Sequence, residues 1–247
     1  MIFLLKRESM KKLMVAFCMV SLGLSSNVYA LEVKKTNINV KAVTSTVTGV
    51  ASSLTPTSAR GTIATINNRL INADKEVQAA FLALCNVMLS KDEVAKNKAK
   101  LAAVNGDKNL SEKEKSAKIA EIITDSSAVL NAEKEKIADE ISKASEAKKE
   151  AVCSAVVDVA AASFKYLDLA NDCKSLGMSI ATNPTLAVTL APELANLKDT
   201  GIILKNNLKS LKALTTQAVS ISKASGLEIQ LPKNKTSKVK KVNESFE

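Results

Sequence analysis

Apolar residues recur at helical spacing along most of this chain. Ile63, Ile66, Leu70, Val77, Phe81, Leu84 and Met88 follow one another at intervals of three, four or seven, with Asn67, Asn68, Arg69, Asp74, Lys75 and Glu76 in the positions between them. Such spacing gathers the apolar set on one face of an α-helix and leaves the polar set for the other faces. Thr57 or Ser58 is the expected N-cap. The stripe thins through residues 91–100, persists weakly at Val94, Leu101 and Val104, and ends at the turn signal Asn105-Gly106-Asp107.

Ser111 and Glu114 have capping-box spacing, so a second long helix is expected after them. Ile119, Ile122, Ile123, Leu130, Ile137, Ile141 and Ala144 trace its apolar side, and Ile123, Leu130, Ile137, Ala144 and Ala151 stand seven residues apart. Strict sevens are the period of a coiled coil, but Ser, Glu and Lys at the companion positions favour a bundle helix over a two-stranded coil. Residues 142–150 are nearly all polar and form either a solvent-bridging stretch or a break. Residues 151–170 are apolar enough to be enclosed on several sides, Asp158 being their only charge before Lys165.

Residues 175–192 contain no charge, and Gly177 and Asn183-Pro184 argue against one continuous helix there. Two readings compete for this stretch. It is a buried helix–helix connection, or it is an apolar tip that touches a membrane or a partner through Met178, Ile180, Leu186, Val188 and Leu190. Its Thr and Ser content argues against deep insertion. Pro192-Glu193 then opens the last helix, whose apolar side runs through Leu194, Leu197, Ile202, Leu204, Leu208, Leu211, Leu214, Val219 and Ile221 to a stop at Gly226.

The chain ends read differently. Near the start, Lys6, Arg7, Lys11 and Lys12 precede an uncharged run over 13–24, and Val28-Tyr29-Ala30 supplies small residues at the positions a signal peptidase reads. A spanning helix needs about 20 apolar residues, more than this run offers, and Phe17 before Cys18 is unsuited to a lipoprotein signal. The expectation is a cleaved signal peptide over 1–30, a Ser/Thr-rich leader over 31–56, a helical domain over 57–226 and a Lys-rich tail over 227–247. Ile38, Val40 and Ala42 alternate with polar residues, as do Leu227, Ile229 and Leu231. A short two-stranded ribbon joining the two ends is compatible with that alternation, though such a pair is marginal unless something packs on it.

Composition sharpens the fold class. Aromatic residues make up 3% of the 247, with seven Gly and four Pro, so the core must be aliphatic and the helices closely packed. The expected architecture is all-α, an elongated antiparallel bundle of three to four long helices. The net charge of +10 is carried almost wholly by Lys, and part of it belongs to the export signal. Three Arg, Arg7, Arg60 and Arg69, and few aromatics give poor material for phosphate forks or base stacking, so nucleic acid is not an expected partner. Lys233, Lys235, Lys238, Lys240 and Lys241 in the tail suit an anionic membrane or cell-wall surface, or simple solvation.

Chemistry is constrained mainly by what is missing from the composition. There is no His, which removes Ser-His-acid and Cys-His catalysis, and the glycines form no phosphate-cradling motif. Glu133, Glu135, Asp139 and Glu140 stand among lysines as salt-bridge partners. Cys85, Cys153 and Cys173 follow the signal segment. They are three buried thiols, or at most one pair is joined, with Cys85 the expected member because Cys153 and Cys173 on one straight helix would stand about 30 Å apart. No catalytic, cofactor or metal residue is expected. The function expected is that of an exported, non-enzymatic helical-bundle protein with a structural or protein-binding role in the periplasm, at the cell surface or outside the cell. The alternative is a membrane-active, pore-former-like protein using residues 175–192.

Overall fold

Helix capping sets the boundaries of nearly every element in this computed structural model, which describes residues 54–232. Among those residues there are seven helices and no strand. They are α1 (Pro56–Met88), α2 (Lys91–Gly106), α3 (Glu112–Ala132), α4 (Lys134–Ser142), α5 (Glu146–Ala181), α6 (Pro184–Thr189) and α7 (Ala191–Ala224). The all-α expectation holds, but three to four helices become seven, of which α1, α5 and α7 are long at 33, 36 and 34 residues. The signal segment, the leader up to residue 53 with Ile38, Val40 and Ala42, and the tail from residue 233 lie outside the described residues. Leu227, Ile229 and Leu231 are half-buried while Glu228 and Gln230 between them are exposed, so the period-two pattern is present in burial without a strand.

The extra helices come from caps inside expected continuous stretches and, at the start of α4, from an uncapped backbone departure at Glu133. α1 starts earlier than expected: Thr55 caps it, its Oγ1 accepting from the Ser58 N–H at 3.2 Å while its own N–H donates to Ser58 Oγ at 3.0 Å. Pro56 is thus the first helical residue, where its missing N–H costs nothing. The stretch 57–105 is not one helix, because Ser90 accepts from the Glu93 N–H at 3.3 Å and begins α2 with Asp92 and Glu93 in its first turn. α2 folds back along α1: Asn105 Nδ2 donates to Gln78 Oε1 at 2.7 Å and Asn97 Nδ2 to Cys85 Sγ at 3.7 Å. Seven residues along α1 thus match eight in reverse along α2, an antiparallel hairpin.

Ser111 forms the expected capping box with Glu114 and opens α3. The sevens that follow are broken twice. At Glu133 the backbone leaves helical geometry for one residue (φ −100, ψ 13) while bonds of the i→i−4 type continue on both sides. At 143–145 the chain tightens, the Ala144 N–H donating to the Ile141 carbonyl at 3.1 Å, and Ser145 then caps α5 through the Lys148 N–H at 3.4 Å. Ile123, Leu130, Ile137, Ala144 and Ala151 therefore do not lie on one helix, and the coiled-coil period has no continuous seam there.

Gly177 does not interrupt α5. A helical glycine costs about 1 kcal/mol relative to alanine, too little to stop a 36-residue helix, whereas Asn183-Pro184 does end it. Asn183 Oδ1 accepts from the Leu186 N–H at 3.2 Å and Pro184 occupies the first turn of α6. α7 ends as expected. Gly226 takes φ +80, the Leu227 N–H reaches the Ser222 carbonyl at 2.9 Å, and the Gly226 N–H reaches that of Lys223 at 3.1 Å, the paired bonds of a Schellman stop.

The chain divides into two compact units, with the division falling inside α1, α5 and α7. Among the described residues, unit 1 comprises residues 54–67 and Ala170–Ile202. Its described core holds Ile63, Ile66, Leu176, Ile180, Leu186, Leu190, Leu194 and Leu197, and Arg60 pairs with Glu193 at 2.7 Å. Unit 2 comprises, among the described residues, Asn68–Leu169 and residues 203–232. Its core is larger, with Phe81, Leu84, Ile119, Ile123, Leu130, Ile141, Val156, Val159, Leu211 and Leu214 buried.

Candidate functional site

The residues singled out from the uncharged stretch separate into two kinds within unit 1. Ile180, Leu186 and Leu190 are core residues at 0%, 4% and 0% exposure, which matches the buried-connection reading. Met178 and Val188 are exposed at 46% and 56%. Ile202 at 39% completes the set of large apolar side chains exposed among the described residues, and all three belong to unit 1. Ile202 thus leaves the apolar side of the last helix on which its spacing had placed it. No described helix is long and apolar enough to cross a membrane.

Cys85, Cys153 and Cys173 are all thiols, none joined to another. Cys85 in unit 2 and Cys173 in unit 1 are buried, and Cys153 is half-buried. Burial pushes the Cys85 thiol up to about 12, against the Asn97 amide that donates to it, so it carries almost no thiolate at neutral pH. Burial also raises Cys153. The lysines Lys233, Lys235, Lys238, Lys240 and Lys241 lie outside the described residues. Of the acids read as surface partners, Glu133 pairs with Lys136 at 3.6 Å and Asp139 with Lys143 at 2.7 Å.

The most organised polar group in the structure was not anticipated. Asp74 of α1, Ser116 of α3, Tyr166 of α5 and Asn207 of α7 meet inside unit 2, with exposures of 6%, 0%, 0% and 1%. Tyr166 Oη donates to Asp74 Oδ1 in a short hydrogen bond. Ser116 Oγ donates to the same oxygen at 3.0 Å, and Asn207 Nδ2 donates to Ser116 Oγ at 2.7 Å. Four helices each supply one member, so the donor chain Asn207 to Ser116 to Asp74 fixes their relative register. Desolvation raises Asp74 from 3.8 to about 6; the Tyr166 and Ser116 hydroxyls oppose this and the Glu112 charge adds to it. Burial, then the Asp74 charge, hold Tyr166 well above 10.

Asp74 was read as part of the polar face of the first helix, and that reading is corrected. Its spacing gives the reason: Ile66, Leu70, Asp74, Val77 and Phe81 are separated by four, four, three and four, which is the register of the buried stripe. Asn207 falls between Leu204 and Leu211 on a buried stripe in the same way. The available signal was a polar residue standing in core register. Partner identity could not be read because each partner lies 42 to 92 residues away in sequence from the residue it bonds.

Among the described residues no group of three or more His, Cys, Asp or Glu side chains could hold a metal ion. Compared with protein-family models, curated proteins and solved structures, the chain matches none of them.

Proposed function

We propose that this is an exported, non-enzymatic helical protein, an elongated antiparallel bundle with a structural or partner-binding role in the periplasm, at the cell surface or outside the cell. The observation that carries the reading is the contrast within residues 175–192: Met178 and Val188 stand out in solvent while Ile180, Leu186 and Leu190 anchor the same segment in the core of unit 1. Apolar side chains held out from a firm base are suited to contact with another molecule. The ordered basic, apolar and small-residue pattern of residues 1–30 supports export. The buried network of Asp74, Ser116, Tyr166 and Asn207 supports a structural use of polar chemistry, since its members are at most 6% exposed and are bonded to one another across helices. The lysine-rich tail adds attraction to an anionic membrane or cell-wall surface.

A membrane-active role is the second reading, favoured by the same exposed Met178 and Val188 in a segment without charge. A photo-crosslinker at position 188, used in the native host, tests the first. A discrete protein adduct lost on Met178→Asp is expected; crosslinks to lipid alone would overturn partner binding. Leakage from anionic liposomes, abolished by Val188→Asp, would establish the second reading, and absence of lipid binding would dismiss it.

A further inference from the structure

Unit 2 carries a groove of about 270 Å³ between α3 and α7. Glu121, Thr124 and Asp125 line it from α3, and Ile203, Asn207 and Ser210 from α7. No Lys or Arg lines it, in a chain whose net charge is +10. Asp125 is paired with Lys100 at 2.8 Å, whereas Glu121 is exposed and meets no cation among the described residues. Thr124 Oγ1 and Ser210 Oγ share a hydrogen bond at 2.8 Å in which either can donate, and the hydroxyl that accepts there is left to donate to its own carbonyl, Ala120 or Asn206; two hydroxyls with more lone pairs than hydrogens thus stand together. Beside them is Asn207, whose Nδ2 is committed to Ser116 and whose Oδ1 is buried without a hydrogen-bond partner. A buried amide oxygen left unpaired is costly and rare in folded proteins.

We propose that this groove binds a primary alkylammonium ion. Most polar features of the groove call for a donor with positive charge: a carboxylate at Glu121, hydroxyl lone pairs at Thr124 and Ser210, and the Oδ1 of Asn207; Asn206, which also lines it, offers an amide oxygen beside its N–H donors. The methyl groups of Ala117 and Ala120 and the Ile203 side chain supply an apolar wall for the methylenes that follow. A divalent metal fits poorly, since no third acid, Cys or His converges with Glu121 and Asp125. Asn207 is 1% exposed and its oxygen is buried, so a compact –NH₃⁺ head approaches it more closely than a trimethylated one of larger radius. Recognition therefore depends on N–H donors as well as on charge.

Two probes of equal charge and chain length separate these contributions: n-butylammonium and butyltrimethylammonium, titrated into the full chain and followed by NMR. The expected result is saturable shifting of the Asn207 side-chain amide and of backbone resonances in α3 and α7 with butylammonium at millimolar concentration. The trimethylated probe, which has lost all three N–H donors, is expected to bind at least about tenfold more weakly. Glu121→Gln, at an exposed position, should weaken butylammonium roughly fivefold without changing the fold. Equal binding of the two probes, indifference to Glu121→Gln, or no saturable shift in these helices would each overturn the proposal.

Discussion

At the scale of single residues, Asp74 carries the clearest physical consequence. Its carboxylate accepts from Tyr166 and Ser116, yet desolvation prevails and lifts it from 3.8 to about 6. A folded-state value above the unfolded one means the native state holds the proton more tightly. The associated stability is present below 3.8 and is lost as pH rises through about 6, by at most about 3 kcal/mol. Asp158, raised by burial, acts in the same sense, while Glu114 and Glu193, lowered by their hydrogen bonds to Ser111 and Arg60, act in the opposite one. The difference between wild type and Asp74→Asn isolates the contribution of this group. Urea midpoints measured from pH 4 to 7 should fall more steeply for wild type than for the variant, and equal slopes would refute the burial account.

At the scale of elements, caps decide where helices begin, and the reading of the sequence succeeded or failed with them. Ser111-x-x-Glu114 was legible and formed as expected, and so did the stops at Gly106 and Gly226. Ser90-Lys91-Asp92-Glu93 carries the same Ser-x-x-Glu spacing, but the apolar stripe continuing through Val94 and Leu101 disguised a reversal of direction as a continuation. Periodicity reports which face is buried and is silent on whether the axis has turned; only the cap residue marks that. The Asp74 network was hidden for a further reason, since hydrogen bonds between distant helices leave no local trace. Ser111→Ala should cost about 1 kcal/mol by removing the box that satisfies the first turn of α3. Gly226→Ala should cost about the same, because its φ of +80 suits glycine and disfavours any side chain. Thermal denaturation of each variant measures both.

For the molecule as a whole, the exposed apolar positions of unit 1 separate binding from stability. Val188→Asp falls on a side chain 56% exposed and should leave the unfolding midpoint within about 0.5 kcal/mol of wild type while removing partner or lipid contact. Leu186→Asp, two residues away but only 4% exposed, should cost upwards of about 3 kcal/mol and unfold the segment. Denaturation and crosslinking measured on both variants distinguish contact from scaffold. If Val188→Asp binds as wild type does, the contact lies elsewhere.

The sulfur atoms, finally, make each unit its own gauge of opening. Cys85 and Cys173, both 2% exposed, sit in unit 2 and unit 1 respectively, and a bulky maleimide meets them only when the surrounding helices part. Half-buried Cys153 should react first and serves as the internal standard. Followed by mass spectrometry through a urea series, simultaneous labelling of the two shielded positions would mean that the units melt as one. Labelling of one well before the other would reveal a half-melted species that circular dichroism, averaging over every helix, would blur.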